Sequence, residues 1–338
     1  MRPMSKVWLR CAVGAMVLLP LAAASEPIRL KLSFFSSDRE AMYRGVIQPF
    51  IQAVNGDPAG NIQIEPYPSG KLGRDPKLQA QMVLDDAADM AFVITSLSPE
   101  RFPDTAAIEL PGLFRDVWEA SFVHTRLALS GLLRGYDDFV VVAAISTGSL
   151  NVHVRAPAAA LDDLRGRRIR ASNLTGSLVL KALGMIPEFL PINQTAEAIS
   201  RDTIDGATAV PEGAVDFGIA RVTSFHYLIG TGGVPFLVLM NKEKFAALPP
   251  SAQETIRKYG GEWLAARYVE TYNAGSARVL EQWKSDPKRK VIFPSAADDQ
   301  AAQVAFQTVI DEWLTKDSRN RQLLDAIKAE TDKLRSVR

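Results

Sequence analysis

Short strand-like runs alternate with helical stretches along the first hundred residues, and that alternation limits the possible folds more than any other feature. Arg29 to Phe35 alternates apolar and polar residues as a half-buried strand does, and residues 38–54 follow with helical spacing. Gly56-Asp57-Pro58-Ala59-Gly60 breaks the chain before a second strand at 61–65. Residues 75–84 then read as a helix and 90–94 as a buried strand. Right-handed crossovers place the helices of such a β-α-β-α-β series on the faces of a mostly parallel sheet, so the fold class is α/β.

The pattern recurs further on. A helix over 117–134 leads to residues 138–145, a run so continuously apolar that it reads as a strand buried on both faces. A second α/β region begins there: a turn at 162–166, a strand at 167–171, and helices at 176–183 and 193–200 separated by a strand at 188–191. Phe217 and Val234 begin further short strands. From Pro249-Pro250 helical periodicity continues with interruptions through Trp283, then again over 296–313 and 319–334. At 338 residues the chain has the length of about two domains.

The first 24 residues differ from the rest: Arg2, Lys6 and Arg10 without an acid, an apolar run from Cys11 to Leu21, and Ala22-Ala23-Ala24. This is the layout of a secretory signal peptide with cleavage after Ala24, and it implies a periplasmic mature protein. The apolar run falls short of the ~20 residues a membrane-crossing helix needs, and no later segment reaches that length, so the mature chain is not membrane-embedded. Cleavage would remove Cys11, the one cysteine, leaving neither disulfides nor thiolate metal sites. It would also reduce the 39 Lys+Arg to 36 against 38 Asp+Glu, a net charge of −2 that argues against nucleic-acid binding.

Enzyme signatures are missing. The sequence contains no G-x-S-x-G elbow, no H-E-x-x-H and no G-x-x-x-x-G-K-[ST] loop. His124, His153 and His226 do not share helical ligand spacing, so structural or surface roles are expected for them and no metal or cofactor is.

Three segments, in this order, resemble the extracytoplasmic solute receptors of TRAP transporters, the DctP family. Tyr67-Pro68-Ser69-Gly70-Lys71-Leu72-Gly73-Arg74, with Asp85 to Ala91 after it, is similar to that family's P-x-G-x-L-G and G-x-x-D-[MI]-[AG]. Leu161-Asp162-Asp163-Leu164-Arg165-Gly166-Arg167-Arg168-Ile169-Arg170 resembles D-L-K-G-x-K-[IL]-R, and Thr203-Ile204-Asp205-Gly206 follows at the family interval. Met240 to Pro250 is similar to the segment leading into these receptors' long C-terminal helix. Singly, these pieces are turn and helix-start chemistry; their joint order carries the resemblance.

The resemblance implies a two-lobed binding-protein fold with the ligand in the cleft and a long spanning helix. The expected boundaries are 25–147 with 237–290 for the first lobe, 148–236 for the second, 250–285 for the helix and 291–338 for C-terminal helices across the lobes. It implies that Arg170 pairs with a ligand carboxylate, a role a guanidinium suits because its planar fork matches a carboxylate bidentately. Read without the resemblance, Arg165, Arg167, Arg168 and Arg170 form a solvated basic run. Where family members carry a second arginine, a ring and an asparagine at the ligand, this chain has Ser149, Ile192 and Ala209, which points to a monocarboxylate with an apolar, keto or aromatic remainder.

Loops at the carboxyl ends of strands add Phe35, Ser36, Thr95, Ser96, Ser172, Asn173 and Glu212 as cleft candidates. The expected function is a solute receptor that closes on a small organic acid and delivers it to TRAP membrane subunits. Two rivals remain open: a periplasmic enzyme using Glu212 as base, and a binding protein serving a sensor.

Overall fold

The computed structural model describes residues 26–337, and the expected signal peptide lies outside them. Two sheets organise the molecule. The first uses β1 (Ile28–Ser33), β2 (Ile62–Tyr67), β3 (Met90–Ile94), β4 (Phe139–Ser146) and β10 (Pro235–Asn241) in the order β2-β1-β3-β10-β4. The second uses β5 (Asn151–Val154), β6 (Arg168–Ala171), β7 (Ile186–Phe189), β8 (Gly206–Ala209), β9 (Phe225–Tyr227) and β11 (Lys290–Ile292) in the order β11-β9-β5-β8-β6-β7.

Both sheets are mixed where a mostly parallel arrangement is expected. β1 runs parallel to β2 and β3, but β10 is inserted antiparallel between β3 and β4 because the chain returns to the first lobe after building the second. In the second sheet β6 is parallel to β7 and β8, while β5 is antiparallel to β8 and β9.

Alternation places the strands. Leu30 and Leu32 of β1 are buried while Arg29 and Lys31 face water, which sets the register against β2. Helices cover both faces, and their starts are capped by short polar side chains: Asp116 accepts from Glu119 N, Asn173 from Gly176 N and Ser295 from Asp298 N. Phe34, Phe50 and Met90 pack on one face of the first sheet and Phe102, Ile108 and Leu237 on the other. The second sheet has its own pair of cores, around Leu164 and Ile169 and around Ile199 and Trp283.

Several boundaries differ from the sequence reading. The long helix expected over 250–285 is two, Pro250–Tyr259 and Gly261–Ser285, parted at Gly260. A Cβ at Gly260 would press on the Val142 carbonyl, so the break coincides with a close approach to β4. Phe217 ends the Pro211–Asp216 helix rather than starting a strand, and the helix from Val117 stops at Leu129. Lys290–Ile292 joins the second sheet, at the margin of the segment expected in the first lobe.

Among the described residues four passages of chain join the lobes, the last being the Ala296–Lys316 helix, which buries Phe306 in a second-lobe core and Trp313 in a first-lobe core. Those following β4 and preceding β10 are stitched together: Thr147 N–H to Val234 O at 3.0 Å, Leu150 N–H to Gly232 O at 2.8 Å and Thr231 N–H to Leu150 O at 2.7 Å. Gly232 has φ +98°, a backbone that disfavours any side chain. The Gly261–Ser285 helix is the third: Thr271 Oγ1 donates to Gly45 O at 3.2 Å in the first lobe and Ser276 Oγ to Glu212 at 2.5 Å in the second.

Candidate ligand-binding site

Between the lobes lies a cavity of about 140 Å³. Its floor is apolar: Leu150, Val210 and Val234 cluster with Ile94, Phe236 and Tyr272 where the passages cross. The first lobe adds Phe35 and Phe92, whose rings stack at 6.1 Å, and Phe92 in turn meets Phe236 at 5.2 Å. The spanning helix adds Tyr268 and Tyr272, one turn apart on the same face.

Into this lining β6 sends Arg170. Its residue is 4% exposed, Nε donates to Leu190 O at 3.0 Å and Nη1 to Ser172 Oγ at 2.7 Å. Nη1 also reaches Thr208 O at 3.4 Å, while Nη2 has no protein partner among the described residues. No carboxylate pairs with it among the described residues, and burial alone pulls the guanidinium down to about 10, so it stays charged at neutral pH. A buried cation without a counter-ion is costly, and the position is chemically suited to an anion.

Ser172, Ile192, Ala209 and Glu212 join Arg170 and Phe35 in the lining. The other sequence candidates are engaged elsewhere. Ser149 lies in the linking passage, where its Oγ accepts from Gly232 N–H at 3.4 Å. Asn173 caps a helix through Gly176 N–H at 2.6 Å and donates Nδ2 to Gly233 O at 3.2 Å, bracing the junction. Ser36 donates to the Glu40 carboxylate, and Thr95 is buried with its hydroxyl on Pro235 O at 3.3 Å. Ser96 is buried near Glu109, whose carboxyl burial pushes above the usual carboxylate range, and its hydroxyl has no hydrogen-bond partner among the described residues. The side chains of Ser149, Asn173, Ser36 and Thr95 bond to nearby backbone or carboxyl groups before they can reach the cavity.

Three carboxyls also border the cavity: Glu40 from the first lobe, Glu212 and Asp216 from the second. Burial raises Glu40 to about 7, against the Ser36 hydrogen bond and with help from the Asp216 charge. Burial likewise raises Glu212 to about 7, opposed by Ser276. Asp216 stands exposed at the rim, where Ala41 N–H donates to its Oδ2 at 3.1 Å and bridges the lobes. Glu40, Asp216, Tyr268 and Tyr272 were not singled out in the sequence. The i, i+4 tyrosines on a long helix were a readable signal; Glu40 carried none.

Residues 32–317 match the profile of the bacterial extracellular solute-binding proteins, family 7, known as DctP. The chain belongs to the DctP family. This DctP-family chain is 22% identical to a TRAP solute-binding protein from an unidentified marine microbe, described as specific for aromatic acid ligands and solved with 3-hydroxybenzoate, with a TM-score of 0.85 over 91% of this chain and 99% of that one. It is 23% identical to a TRAP solute-binding protein of Rhodoferax ferrireducens holding copurified benzoate, with a TM-score of 0.83 over 92% of this chain and 99% of the other. Among relatives in sequence, it is 21% identical to the C4-dicarboxylate-binding periplasmic protein DctP of Rhodobacter capsulatus, across 74% of this chain and 77% of that protein. The two structures share the two-lobed α/β fold read here. The family is one of transport receptors, typically periplasmic, and no helix among the described residues is long and apolar enough to cross a membrane.

Proposed function

We propose that this DctP-family protein is the receptor of a TRAP-type transporter, capturing an aromatic or otherwise apolar monocarboxylate between its lobes and delivering it unchanged to the membrane subunits. One observation carries the reading: Arg170 is a buried guanidinium with no counter-charge among the described residues, set in a lining built mainly of apolar and aromatic side chains. Such a lining suits a ring better than the second carboxylate of a C4-dicarboxylate, because one fixed cation balances one fixed anion. The aromatic acids held by the two structural relatives support the same ligand class.

Binding proceeds by hinge closure at the stitched passages, the lobes following the expected division at 147/148 and 236/237. Closure buries the Arg170 ion pair, so the ligand stabilises the closed form and the membrane partner reads that form. Delivery from the periplasm requires export, which the leader at 1–24 supplies. Mass spectrometry of acids released from natively purified protein tests the reading: an aromatic or other apolar monocarboxylate supports it, and a dicarboxylate or a sugar acid contradicts it.

The Glu212 carboxyl near pH 7 favours a second reading, an enzyme with Glu212 as general base on a carboxylated substrate. Incubation separates the two, since a receptor returns the acid with its mass unchanged and an enzyme does not.

A further inference from the structure

Glu212 is a part-buried carboxyl with two donors beside it, the Ser276 hydroxyl and its own backbone N–H. It opens the Pro211–Asp216 helix, a place where backbone N–H groups ordinarily favour an ionised carboxylate. Burial outweighs that, and only Ser276 among the described side chains hydrogen-bonds to it, at 2.5 Å through Oε2. The groups facing it are Tyr268, Tyr272 and Arg278 on the spanning helix and Asp216 one turn along its own helix. Arg278 acts on it through space, as the smallest of the influences named, and no salt bridge is formed with Glu212 among the described residues. Glu40, which titrates in the same range, stands on the opposite lobe.

The cavity therefore has two polar requirements. One is met by an anion at Arg170, whose Nη2 awaits a partner. The other is a further donor for the Glu212 carboxyl, which has the Ser276 hydroxyl as its one side-chain donor among the described residues; leaving a part-buried carboxylate short of donors costs free energy. Pinning the short helix to the spanning helix would need only the Ser276 contact, for which a neutral glutamine would serve.

We propose that Glu212 is a specificity determinant: it accepts a hydrogen bond from a hydroxyl on the ligand remote from the carboxylate, so that the receptor selects hydroxylated aromatic monocarboxylates over unsubstituted ones. This rests on Arg170 anchoring the carboxylate, as read above. A charge-assisted bond inside the closed cavity is the stronger kind, and an unsubstituted ring would bury the carboxyl without adding a donor to the Ser276 contact.

The test is calorimetric titration of benzoate and its three hydroxy isomers into the full mature protein, the Glu212→Met variant and the Glu212→Gln variant, at pH 6 and pH 8. The parent binds at least one hydroxy isomer about tenfold or more tighter than benzoate at pH 8, and by a smaller ratio at pH 6, where Glu212 is protonated. Glu212→Met brings that ratio to about one. Glu212→Gln keeps the Ser276 contact and makes the ratio independent of pH, which decides the matter should the methionine variant fail to fold. An unchanged ratio in the variants, or equal losses for benzoate and its hydroxy derivatives, overturns the assignment of Glu212 and leaves Arg170 untouched. If none of the four acids binds the parent, the carboxylate-site reading fails and this inference falls with it.

Discussion

Arg170 and Ser172 stand two residues apart along the chain, and Arg170 Nη1 donates to Ser172 Oγ at 2.7 Å. Arg170 lies in β6 and Ser172 one residue past its end, so the close of the strand delivers the cation together with the hydroxyl that steadies it. Leu190 O takes Nε, and the fork is left with Nη2 for an incoming oxygen. The arrangement fixes the guanidinium before the ligand arrives, which lowers the ordering cost of binding.

Affinity for an acid lacking a hydroxyl falls as pH rises through 7. Glu40 and Glu212 both titrate at about 7 in the free protein, and covering them with an apolar ring favours their neutral forms further. Binding then takes up protons, so affinity is flat below about pH 6 and declines by up to about tenfold per pH unit and per proton above neutrality. Titration of benzoate in two buffers of different ionisation heat measures the uptake; an equal heat in both buffers at pH 7.5 contradicts it.

Glu212→Gln stabilises the ligand-free protein, and more so at high pH. The folded-state value lies above the unfolded one, so the stability Glu212 permits is complete below about 4.5 and lost as pH rises through 7. The melting temperature of the variant therefore exceeds that of the parent by more at pH 8 than at pH 5. A constant difference would mean that the carboxyl is not desolvated.

The second lobe weakens in acid through its histidines. His226 Nδ1 lies 3.0 Å from His153 Nδ1, and the His226 ring stacks on Trp283 at 3.7 Å between centroids. Burial holds His153 down to about 4 and His226 to about 2, the second lowered further by His153 and Arg289. Their folded values lie below the unfolded one, so stability is intact above about 6.5 and declines as pH falls, by up to about 1.4 kcal/mol per pH unit for each group. In denaturant titrations His226→Phe should gain on the parent between pH 7 and pH 5; parallel curves would refute this.

Asp104 ties the C-terminal helices to the first lobe. It is 1% exposed and receives Arg134 Nη2 at 2.7 Å and Arg319 Nε at 3.0 Å. Asp104→Ala leaves two guanidinium groups facing a vacated buried site and costs about 3 kcal/mol of unfolding free energy, read from the urea midpoint. A loss under about 1 kcal/mol would show that solvent already satisfies the two arginines.

The sequence was legible where local pattern and structure coincide. Met90–Ile94 carries its strand in five consecutive apolar residues, and Arg170 stood out because a motif surrounded it. Gly206–Ala209 has no large side chain and therefore no readable period, yet it is fully buried in the sheet beside β6. Asn173 and Ser149 lie near the cavity with their side chains on backbone groups, and residue type alone does not tell whether a side chain caps backbone or faces a ligand. Glu40 and Tyr272 lie far apart in the sequence, and only the packing of the spanning helix across the lobes brings them to one cavity.

The central claim is that Arg170 holds the ligand carboxylate, and calorimetric titration of the acid released from the native protein into the parent and Arg170→Ala tests it most directly. Breaking a buried charge pair costs several kcal/mol, so the variant should fold, melt no lower than the ligand-free parent, and bind at least about 30-fold more weakly, a loss of about 2 kcal/mol. Equal affinity in the two proteins would contradict the account.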